Sequence, residues 1–163
     1  MAKRSVKLNN LEDKIEIINK NIKDIKENFE KNTFDAIVTN PPYKKIETGK
    51  TNERENKYIS RHEVTASLED FIKISFDMLK DKGSLYMVHR PERLAEIIYC
   101  LKTNKLEPKK IRFVHSNTEE EPKLVLIKAV KNAKEFVKIE KPLIVYNKNG
   151  KYTEEILKIY NKK

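Results

Sequence analysis

The fold is decided by residues 34–43, which read Phe-Asp-Ala-Ile-Val-Thr-Asn-Pro-Pro-Tyr. Aromatic, β-branched and small apolar residues dominate the first six positions, and such residues suit a buried, pleated strand. Pro41 and Pro42 then stop both a helix and a strand ladder, because neither has a backbone N–H to donate. The pattern predicts a buried strand with Asn40 at its carboxyl end, which is where open α/β sheets place their ligand crevices.

The turn that follows this strand is stiff and rich in hydrogen-bond acceptors. Asn40 carries a side-chain carbonyl and an amide group, while Pro41 and Pro42 keep their backbone carbonyls. Tyr43 adds a flat face on which a planar group can stack. Two fixed acceptors beside that ring suit a planar group with an NH₂, such as adenine or a carboxamide, because they accept both N–H protons and leave the nitrogen lone pair facing a methyl donor. The alternative is a plain turn, since Asn-Pro and Pro-Pro pairs commonly mark loops.

The composition predicts one globular domain with an excess of positive charge. The chain has 163 residues, with 35 Lys and Arg against 25 Asp and Glu, which gives a formal net charge of +10. Such an excess favours an acidic partner, and nucleic acid is the first candidate. A Lys-rich, Gly-poor composition of the kind that a biased genome produces would give the same charge without such a partner.

The cysteine, the histidines and the hydrophobic runs indicate what the sequence predicts about the core, metal binding and membranes. Cys100, the single cysteine, lies in an apolar helical pattern and is expected in the core. His62 has no companion at metal-ligand spacing, so no metal site is expected. The sequence has neither an apolar run of membrane length nor a signal-peptide pattern, so we expect a cytoplasmic protein with no membrane partner.

Hydrophobic periodicity divides the rest of the chain into alternating strands and helices. The predicted strands span 14–19, 34–39, 85–88, 109–115 and 123–130, with a small terminal hairpin or extended tail at 136–139 and 143–146. The predicted helices span 2–11, 22–30 and 66–80, a helix that begins near Pro91, and a short last helix that opens at Tyr152 with Ile156, Ile159 and Tyr160 facing inward. Asp81-Lys82-Gly83 is expected to end the helix over 66–80. This alternation favours a doubly wound parallel α/β sheet, with 111–115 and 124–130 as an antiparallel hairpin at one edge.

Two basic segments are predicted to face a substrate. Residues 44–65 form a long polar loop that starts at the Asn-Pro-Pro-Tyr turn, and we interpret it as a substrate-gripping lid. Its polar residues include Lys44, Lys45, Arg61 and His62. Arg90 and Arg93 lie at the start of a helix, where the helix dipole disfavours cations, so they indicate an anionic ligand such as phosphate. The alternative is that both arginines are simply solvated.

A resemblance to known enzymes extends this interpretation. Asn40-Pro41-Pro42-Tyr43 after a hydrophobic strand resembles the signature of amino-group methyltransferases that use S-adenosylmethionine, a group that includes adenine-N6 enzymes on DNA and RNA and glutamine-N5 enzymes that modify release factors. Further runs are similar to bacterial enzymes that methylate adenine N6 in tRNA1(Val), next to the anticodon. These runs are Arg61-His62-Glu63, His89-Arg90-Pro91-Glu92-Arg93-Leu94, Arg112-Phe113-Val114-His115 and Pro142-Leu143-Ile144-Val145-Tyr146. The resemblance implies one methyltransferase domain over 1–163, with a hairpin and helix extension at 136–163.

The resemblance also implies a role for each candidate site residue. Asn40 and Pro41 would hold the target amine, Pro42 would complete the catalytic turn, and Tyr43 would stack on the base. Asn21 and Asn40 would contact the cofactor, S-adenosylmethionine. The residues implied to face the tRNA are Lys44, Lys45, Arg61, His62, Arg90 and Arg93.

Two departures from the family pattern bear on the cofactor. The family begins with a glycine-rich strand–turn–helix loop that cradles the methionine part of S-adenosylmethionine, whereas this chain has only Gly49, Gly83 and Gly150, none near another. Asn21 stands where the family usually has an aspartate that contacts the cofactor's adenine. The chain therefore resembles a Rossmann-like class I methyltransferase sheet that lacks its first β-α-β unit, and we expect poor cofactor binding and little activity. The unpaired strand edge that this would leave favours a homodimer.

Two other functions fit the same residues. The release-factor glutamine methyltransferases share the signature, although the basic charge and the C-terminal hairpin favour the tRNA enzyme. A non-enzymatic RNA-binding remnant would bind tRNA in a salt-dependent way without methyl transfer.

Overall fold

The computed structural model describes residues 1–43 and 66–161. The predicted basic loop, with Lys44, Lys45, Arg61 and His62, lies outside the described residues. The described helices are α1 (Ala2–Leu8), α2 (Leu68–Met78), α3 (Leu94–Thr103) and α4 (Glu154–Ile159), with short 3-10 helices at Ile22–Glu27 and Pro91–Arg93. The strands are β1 (Phe34–Thr39), β2 (Leu79–His89), β3 (Leu106–His115), β4 (Pro122–Lys131), β5 (Lys138–Ile139) and β6 (Leu143–Ile144). Among the described helices, none combines the length and the apolar character needed to cross a membrane.

The strands form a mixed sheet in the order β1-β2-β4-β3-β5, with β6 also pairing with β3. β1 and β2 run parallel, while β4 runs antiparallel to both β2 and β3. The predicted α/β class and the predicted antiparallel pair are confirmed, with Ile111 opposite Ile127. The sheet is mixed because only residues 116–121 connect β3 to β4, and a connection that short lets the chain return only in the antiparallel direction.

The main hydrophobic core lies between one face of this sheet and helices α2 and α3. The sheet contributes Leu85, Met87, Val125 and Ile127, and the helices contribute Ile72, Ile97 and Leu101. The strand residues alternate onto the buried face, as the two-residue period of a strand requires. Burying a side chain of this size contributes about 1.5–3 kcal/mol relative to leaving it exposed. The helical periodicity predicted for both helices is confirmed.

α2 runs directly into β2, which corrects the prediction that Asp81-Lys82-Gly83 ends a helix over 66–80. The helix ends at Met78, and these three residues form a bulge inside β2 where its register with β1 shifts. A Cβ atom on Gly83 would lie 2.9 Å from the carbonyl oxygen of Lys80 and 3.2 Å from that of Asp35. Gly83 therefore serves a close approach of two backbones rather than a helix end.

A buried lysine fixes the junction between α2 and β2. Lys131, at the end of β4, is 6% exposed. Its Nζ donates to the backbone carbonyls of Phe76 at 2.7 Å and Leu79 at 2.8 Å. It also donates to the side-chain oxygen of Asn32 at 2.8 Å. Because the last carbonyls of a helix have no donors within the helix, these bonds satisfy the end of α2 and tie it to β4.

β1 is an edge strand rather than the buried strand that its sequence predicts. Within the described residues it pairs only with β2, and Val38 is 81% exposed while Ile37 packs against the core. The strand predicted at 14–19 is wrong, since residues 15–20 have no regular secondary structure and Ile15 is 42% exposed. A strand needs a hydrogen-bonded neighbour, and none of the described strands provides one for these residues.

The C-terminal elements also differ from the prediction. β5 and β6 each pair with β3 in the parallel direction, so 136–139 and 143–146 do not form a hairpin with one another. Both segments follow the same strand in the same direction, which is incompatible with an antiparallel hairpin. In α4, Ile156 is buried as predicted, whereas Ile159 is 56% and Tyr160 65% exposed. A helix this short has room for one inward position per turn against the sheet.

Candidate functional site

The Asn-Pro-Pro-Tyr turn lies where two parallel strands end. β1 ends at Thr39, which is opposite Met87 of β2, and β2 continues to His89. The turn and the segment that follows β2 therefore meet at the same edge of the sheet. This is the edge at which parallel strands present their carboxyl ends to a ligand.

Asn40 and Pro41 have opposite surroundings. Asn40 is exposed, and within the described part of the chain its side chain makes no hydrogen bond. Pro41 is fully buried and so anchors the turn to the body of the protein. An exposed amide on a rigid, buried support keeps both its acceptor and its donors available to a ligand.

Tyr43 makes three contacts with the last residue of β2 and the residues that follow it. Its ring meets the ring of His89 edge to face, with centroids 5.1 Å apart and planes at 64°. The guanidinium carbon of Arg90 lies over the ring, 5.4 Å from its centroid. Nη1 of Arg93 donates to the backbone carbonyl of Tyr43 at 3.2 Å. Such contacts fix the orientation of a side chain that is only partly buried.

The two predicted arginines occupy different positions. Arg93 is 14% exposed, and its guanidinium forms a fork with Glu96, at 3.1 Å from Nε and 2.7 Å from Nη2. Arg90 is exposed and reaches the carbonyl of Lys123 at 3.3 Å. Arg90 is thus open to an incoming ligand, whereas Arg93 clamps Tyr43 to α3. The role of either residue in binding RNA stays a prediction.

His89 completes this cluster, and sequence reasoning missed it as a site residue. It is fully buried, and its Nδ1 accepts a hydrogen bond from the backbone N–H of Arg90 at 2.8 Å. Its Nε2 has no hydrogen-bond partner among the described residues. Burial first, and then the positive charge of Arg93, hold the pKa of His89 below its ordinary value. The sequence signal that could have identified His89 is its position as the last residue of β2, the strand that pairs with β1.

A depression beside the turn brings Asn21 and Pro42 together. It has a volume of about 470 Å³ and is lined by Ile18, Lys20, Asn21, Ile22, Ile25, Pro42, Ala66 and Phe71. The Oδ1 atom of Asn21 accepts from the backbone N–H of Lys23 at 3.0 Å and caps the first 3-10 helix. Mostly apolar walls with two polar residues, Lys20 and Asn21, suit a flat heterocycle, so these residues fit the adenine end of a nucleoside cofactor.

A larger depression lies further along the same edge of the sheet. It has a volume of about 760 Å³ and lies between the β3–β4 turn and residues 146–150. None of the predicted site residues lines it. The volume of a depression therefore does not identify the candidate site. The residues of the Asn-Pro-Pro-Tyr turn identify it.

The sheet and the turn at its carboxyl edge define the class of protein, a methyltransferase domain built on a Rossmann-like sheet. Residues 2–106 match the Eco57I restriction-modification methylase family. Because this match spans more than half of the chain, the chain belongs to that family.

A curated relative supports the resemblance drawn from the sequence. The tRNA1(Val) (adenine(37)-N6)-methyltransferase of Porphyromonas gingivalis is 26% identical to this chain over 128 residues. The aligned region covers 77% of this chain and 49% of the relative. The predicted resemblance is confirmed, and the chain spans about half the length of the curated relative it matches.

Solved structures with similar folds include a methyltransferase and a restriction-modification subunit. A predicted O-methyltransferase of Agrobacterium tumefaciens superposes with a TM-score of 0.76 at 20% identity, covering 98% of this chain and 70% of that one. A protein assigned as the modification subunit of a type I restriction enzyme of Vibrio vulnificus has a TM-score of 0.57 at 13% identity, covering 98% of this chain and 37% of that one. At these identities the likeness concerns the fold, and it confirms the predicted fold class.

Proposed function

We propose that this protein transfers a methyl group from S-adenosylmethionine to the exocyclic N6 amine of an adenine in tRNA. The observation that carries the proposal is the Asn40 amide, exposed and without a hydrogen-bond partner in the described residues, beside a Tyr43 ring held by its neighbours. The matched tRNA1(Val) methyltransferase acts on adenine 37 by name, which supports the same substrate class.

The reaction needs placement more than acid–base chemistry. The exposed side-chain oxygen of Asn40 accepts one N–H proton of the amine, and the backbone carbonyl of Pro41, a residue buried in this structure, is the acceptor proposed for the other, so the lone pair is directed outward. Tyr43 stacks on the adenine and fixes its plane. The N6 nitrogen gains the methyl group as the methyl–sulfur bond breaks with its electron pair left on sulfur, and N6 then releases one proton to solvent. Such orientation alone can account for about 7–11 kcal/mol of a barrier.

The depression beside Pro42 is the place for the cofactor's adenine. S-adenosylmethionine supplies, when bound, an electrophilic methyl group on sulfur. The apolar walls from Ile22, Ile25 and Phe71 enclose a flat ring, and the amide N–H groups of Asn21 are available to a ring nitrogen because its oxygen caps the 3-10 helix.

Binding of the cofactor by this chain alone is expected to be weaker than micromolar. The three glycines lie far apart in sequence, so a glycine-rich loop that lets backbone approach the methionine part is not among these 163 residues. Isothermal titration calorimetry with S-adenosylmethionine measures the affinity. A micromolar Kd would contradict the expectation.

The tRNA is expected to lie across the carboxyl edge of the sheet. Arg90 faces this edge, and the predicted contacts Lys44, Lys45, Arg61 and His62 belong to residues 44–65, which follow Tyr43 in the sequence. The net charge of +10 supports an anionic partner. Arg93 contributes indirectly, through its bond to the Tyr43 carbonyl.

A methyl-transfer assay tests the proposal. Radiolabelled S-adenosylmethionine is incubated with the anticodon stem-loop of tRNA1(Val) and with the same RNA carrying guanine in place of adenine 37, the position named in the relative. Because cofactor binding is expected to be weak, the first RNA should gain label slowly and only at cofactor concentrations above micromolar, and the second should gain none. Asn40→Ala should abolish the transfer, while Asn28→Ala, which removes another exposed asparagine, should leave it unchanged.

Adenine in DNA is the second candidate substrate. The match to a restriction-modification methylase family over residues 2–106 favours it. Adding duplex DNA and a release factor as further arms of the assay separates the substrates. Label on DNA alone or on the release factor alone would overturn the tRNA proposal, and salt-dependent tRNA binding without label on any arm would favour a non-enzymatic RNA-binding protein.

A further inference from the structure

His89, the buried histidine that contacts the turn, has a hydrogen-bond partner on only one of its two ring nitrogens among the described residues. His89 has no exposed surface, yet its Nε2 finds no hydrogen-bond partner among the described residues. An unpaired buried donor or acceptor costs about 1–3 kcal/mol, so such a group calls for an explanation. His89 contacts Tyr43, the last residue of the turn that is proposed to hold the target amine.

The hydrogen bond to the other ring nitrogen fixes where the proton resides. Nδ1 accepts from the backbone N–H of Arg90 at 2.8 Å, so it carries no proton. In a neutral imidazole the proton must then be on Nε2, which makes this atom a donor. The neutral ring therefore has a hydrogen-bond donor at Nε2 that is not used by any described residue.

The groups around the ring favour this neutral form. Burial first, and then the positive charge of Arg93, lower the pKa of His89 below 6.5, whereas the backbone groups of Arg90 and Pro42 and the negative charge of Glu96 act in the opposite direction. Arg90 and Tyr43 are the other titratable groups in contact with it. The ring of Tyr43, the residue after Pro42, contacts the His89 ring with centroids 5.1 Å apart, which brings the Pro42 carbonyl into the neighbourhood of His89.

We propose that His89 is a positioning residue for the Asn-Pro-Pro-Tyr turn: its ring supports Tyr43, and its Nε2–H, which has no partner among the described residues, donates to the backbone carbonyl of Pro42 when the turn binds its substrate. This role rests on the proposed function of the turn. It explains the unpaired nitrogen, because hydrogen bonds in unliganded active sites are often longer than in the working complex. Through it, the end of β2 sets the position of Asn40 and Tyr43 at the end of β1.

Nuclear magnetic resonance on the wild-type protein, recorded alone and with the anticodon stem-loop RNA, tests the protonation of the ring and the hydrogen bond. The ¹⁵N shifts of His89 report which nitrogen carries the proton, and the ¹³C shift of the Pro42 carbonyl reports its acceptor state. We expect the Nε2–H form at neutral pH, and we expect it to persist below pH 6.5, because a lowered pKa keeps the ring neutral there. An Nδ1–H form, or protonation of His89 above pH 6.5, would overturn the proposal.

Three variants separate positioning from packing. His89→Phe keeps a ring against Tyr43 but removes the donor, and His89→Gln restores an N–H near the position of Nε2. The Pro42 carbonyl and Asn40 amide signals should move in the first variant and return toward wild type in the second. His115→Phe is the matched control, since His115 also ends a strand at this edge but bonds to the Glu120 carbonyl at 2.8 Å. Unchanged Pro42 and Asn40 signals in His89→Phe would contradict the role.

These measurements do not depend on methyl transfer. A protein that shows the Nε2–H bond but methylates none of the tested substrates keeps the role of His89 and loses the proposed function. A protein that methylates tRNA with His89 in the Nδ1–H form keeps the function and loses the role. If His89→Phe does not fold, the wild-type spectra decide the question alone.

Discussion

β1 and β2 run side by side and end at the same site, but they are supported differently. β2 pairs with β1 on one side and β4 on the other, and it ends in a fully buried His89. β1 pairs only with β2 among the described strands, and it is followed by an exposed Asn40. The comparison teaches that Asn40, which is proposed to touch the substrate, follows β1, the strand with one pairing partner among those described. The residues that orient the turn belong to the end of β2, the strand with two partners.

The largest expected difference between the two strands is in stability. Leu85 of β2 is 1% exposed and Val38 of β1 is 81% exposed. Leu85→Ala should lower the free energy of unfolding by about 2–5 kcal/mol, because it leaves a cavity in the core. Val38→Ala should change it by less than about 0.5 kcal/mol. Urea unfolding followed by circular dichroism measures both, and similar losses would show that β1 is as well supported as β2.

Function should show the opposite dependence, since the reactive groups follow β1. Tyr43→Ala removes the stacking face, which is worth about 1–3 kcal/mol per base, so kcat/KM for methyl transfer should fall about 5- to 150-fold. Tyr43→Phe keeps the ring and its contacts with His89 and Arg90, and it is the matched control. Equal kinetic losses in both variants would mean that the hydroxyl, and not the stacking face, is what the reaction needs.

The same contrast explains which features the sequence could predict. The helical periods of α2 and α3 and the paired strands β3 and β4 are local patterns, and they were predicted because a period of two or 3.6 residues is visible in sequence. The apolar residues of β1 predicted burial, yet Val38 is exposed, because burial depends on neighbours elsewhere in the chain. The isoleucines of residues 14–19 predicted a strand, but no described strand lies beside these residues to pair with them.

The site shows the same division. The composition of the turn placed Asn40 and Tyr43 at a strand end, since two prolines end a strand wherever they occur. The clamp on Tyr43 depends on which segment follows the neighbouring strand, so its geometry is visible only in the folded chain. His89 was missed for this reason: a histidine after an apolar run is unremarkable until its burial and its contact with Tyr43 are known.

A smaller effect is expected at the start of α2, the helix that leads into β2. Ser67 accepts from the Asp70 N–H at 3.1 Å, and the Asp70 carboxylate accepts from the Ser67 N–H at 2.9 Å, a capping box. Ser67→Ala should cost about 1 kcal/mol in the free energy of unfolding. The backbone N–H of Ser67 lowers the pKa of Asp70 below 3.8, so the carboxylate's contribution is present above that pH and is lost as the pH falls through the lower folded value.

Urea unfolding from pH 7 down to pH 2 measures this dependence. Asp70→Asn should flatten the acid side of the curve, whereas Asp24→Asn, an exposed acid at the start of the first 3-10 helix, should not. A wild-type curve that loses no more stability in acid than Asp70→Asn would contradict the assignment.

The open edge of β1 gives the last test of the comparison, with the smallest effect on folding. An unpaired strand edge exposes N–H and C=O groups that can pair with a second chain, so we propose that the protein associates through β1 as its concentration rises. Val38→Lys should prevent this association while changing the free energy of unfolding by less than about 0.5 kcal/mol, because a charge on an edge strand opposes pairing. Light scattering over a concentration series measures the mass. Tyr99→Lys, the same added charge at a 70% exposed position on α3, should leave association intact. A wild-type protein that stays monomeric throughout, or equal effects of both variants, would show that β1, although unpaired among the described strands, is not a pairing surface.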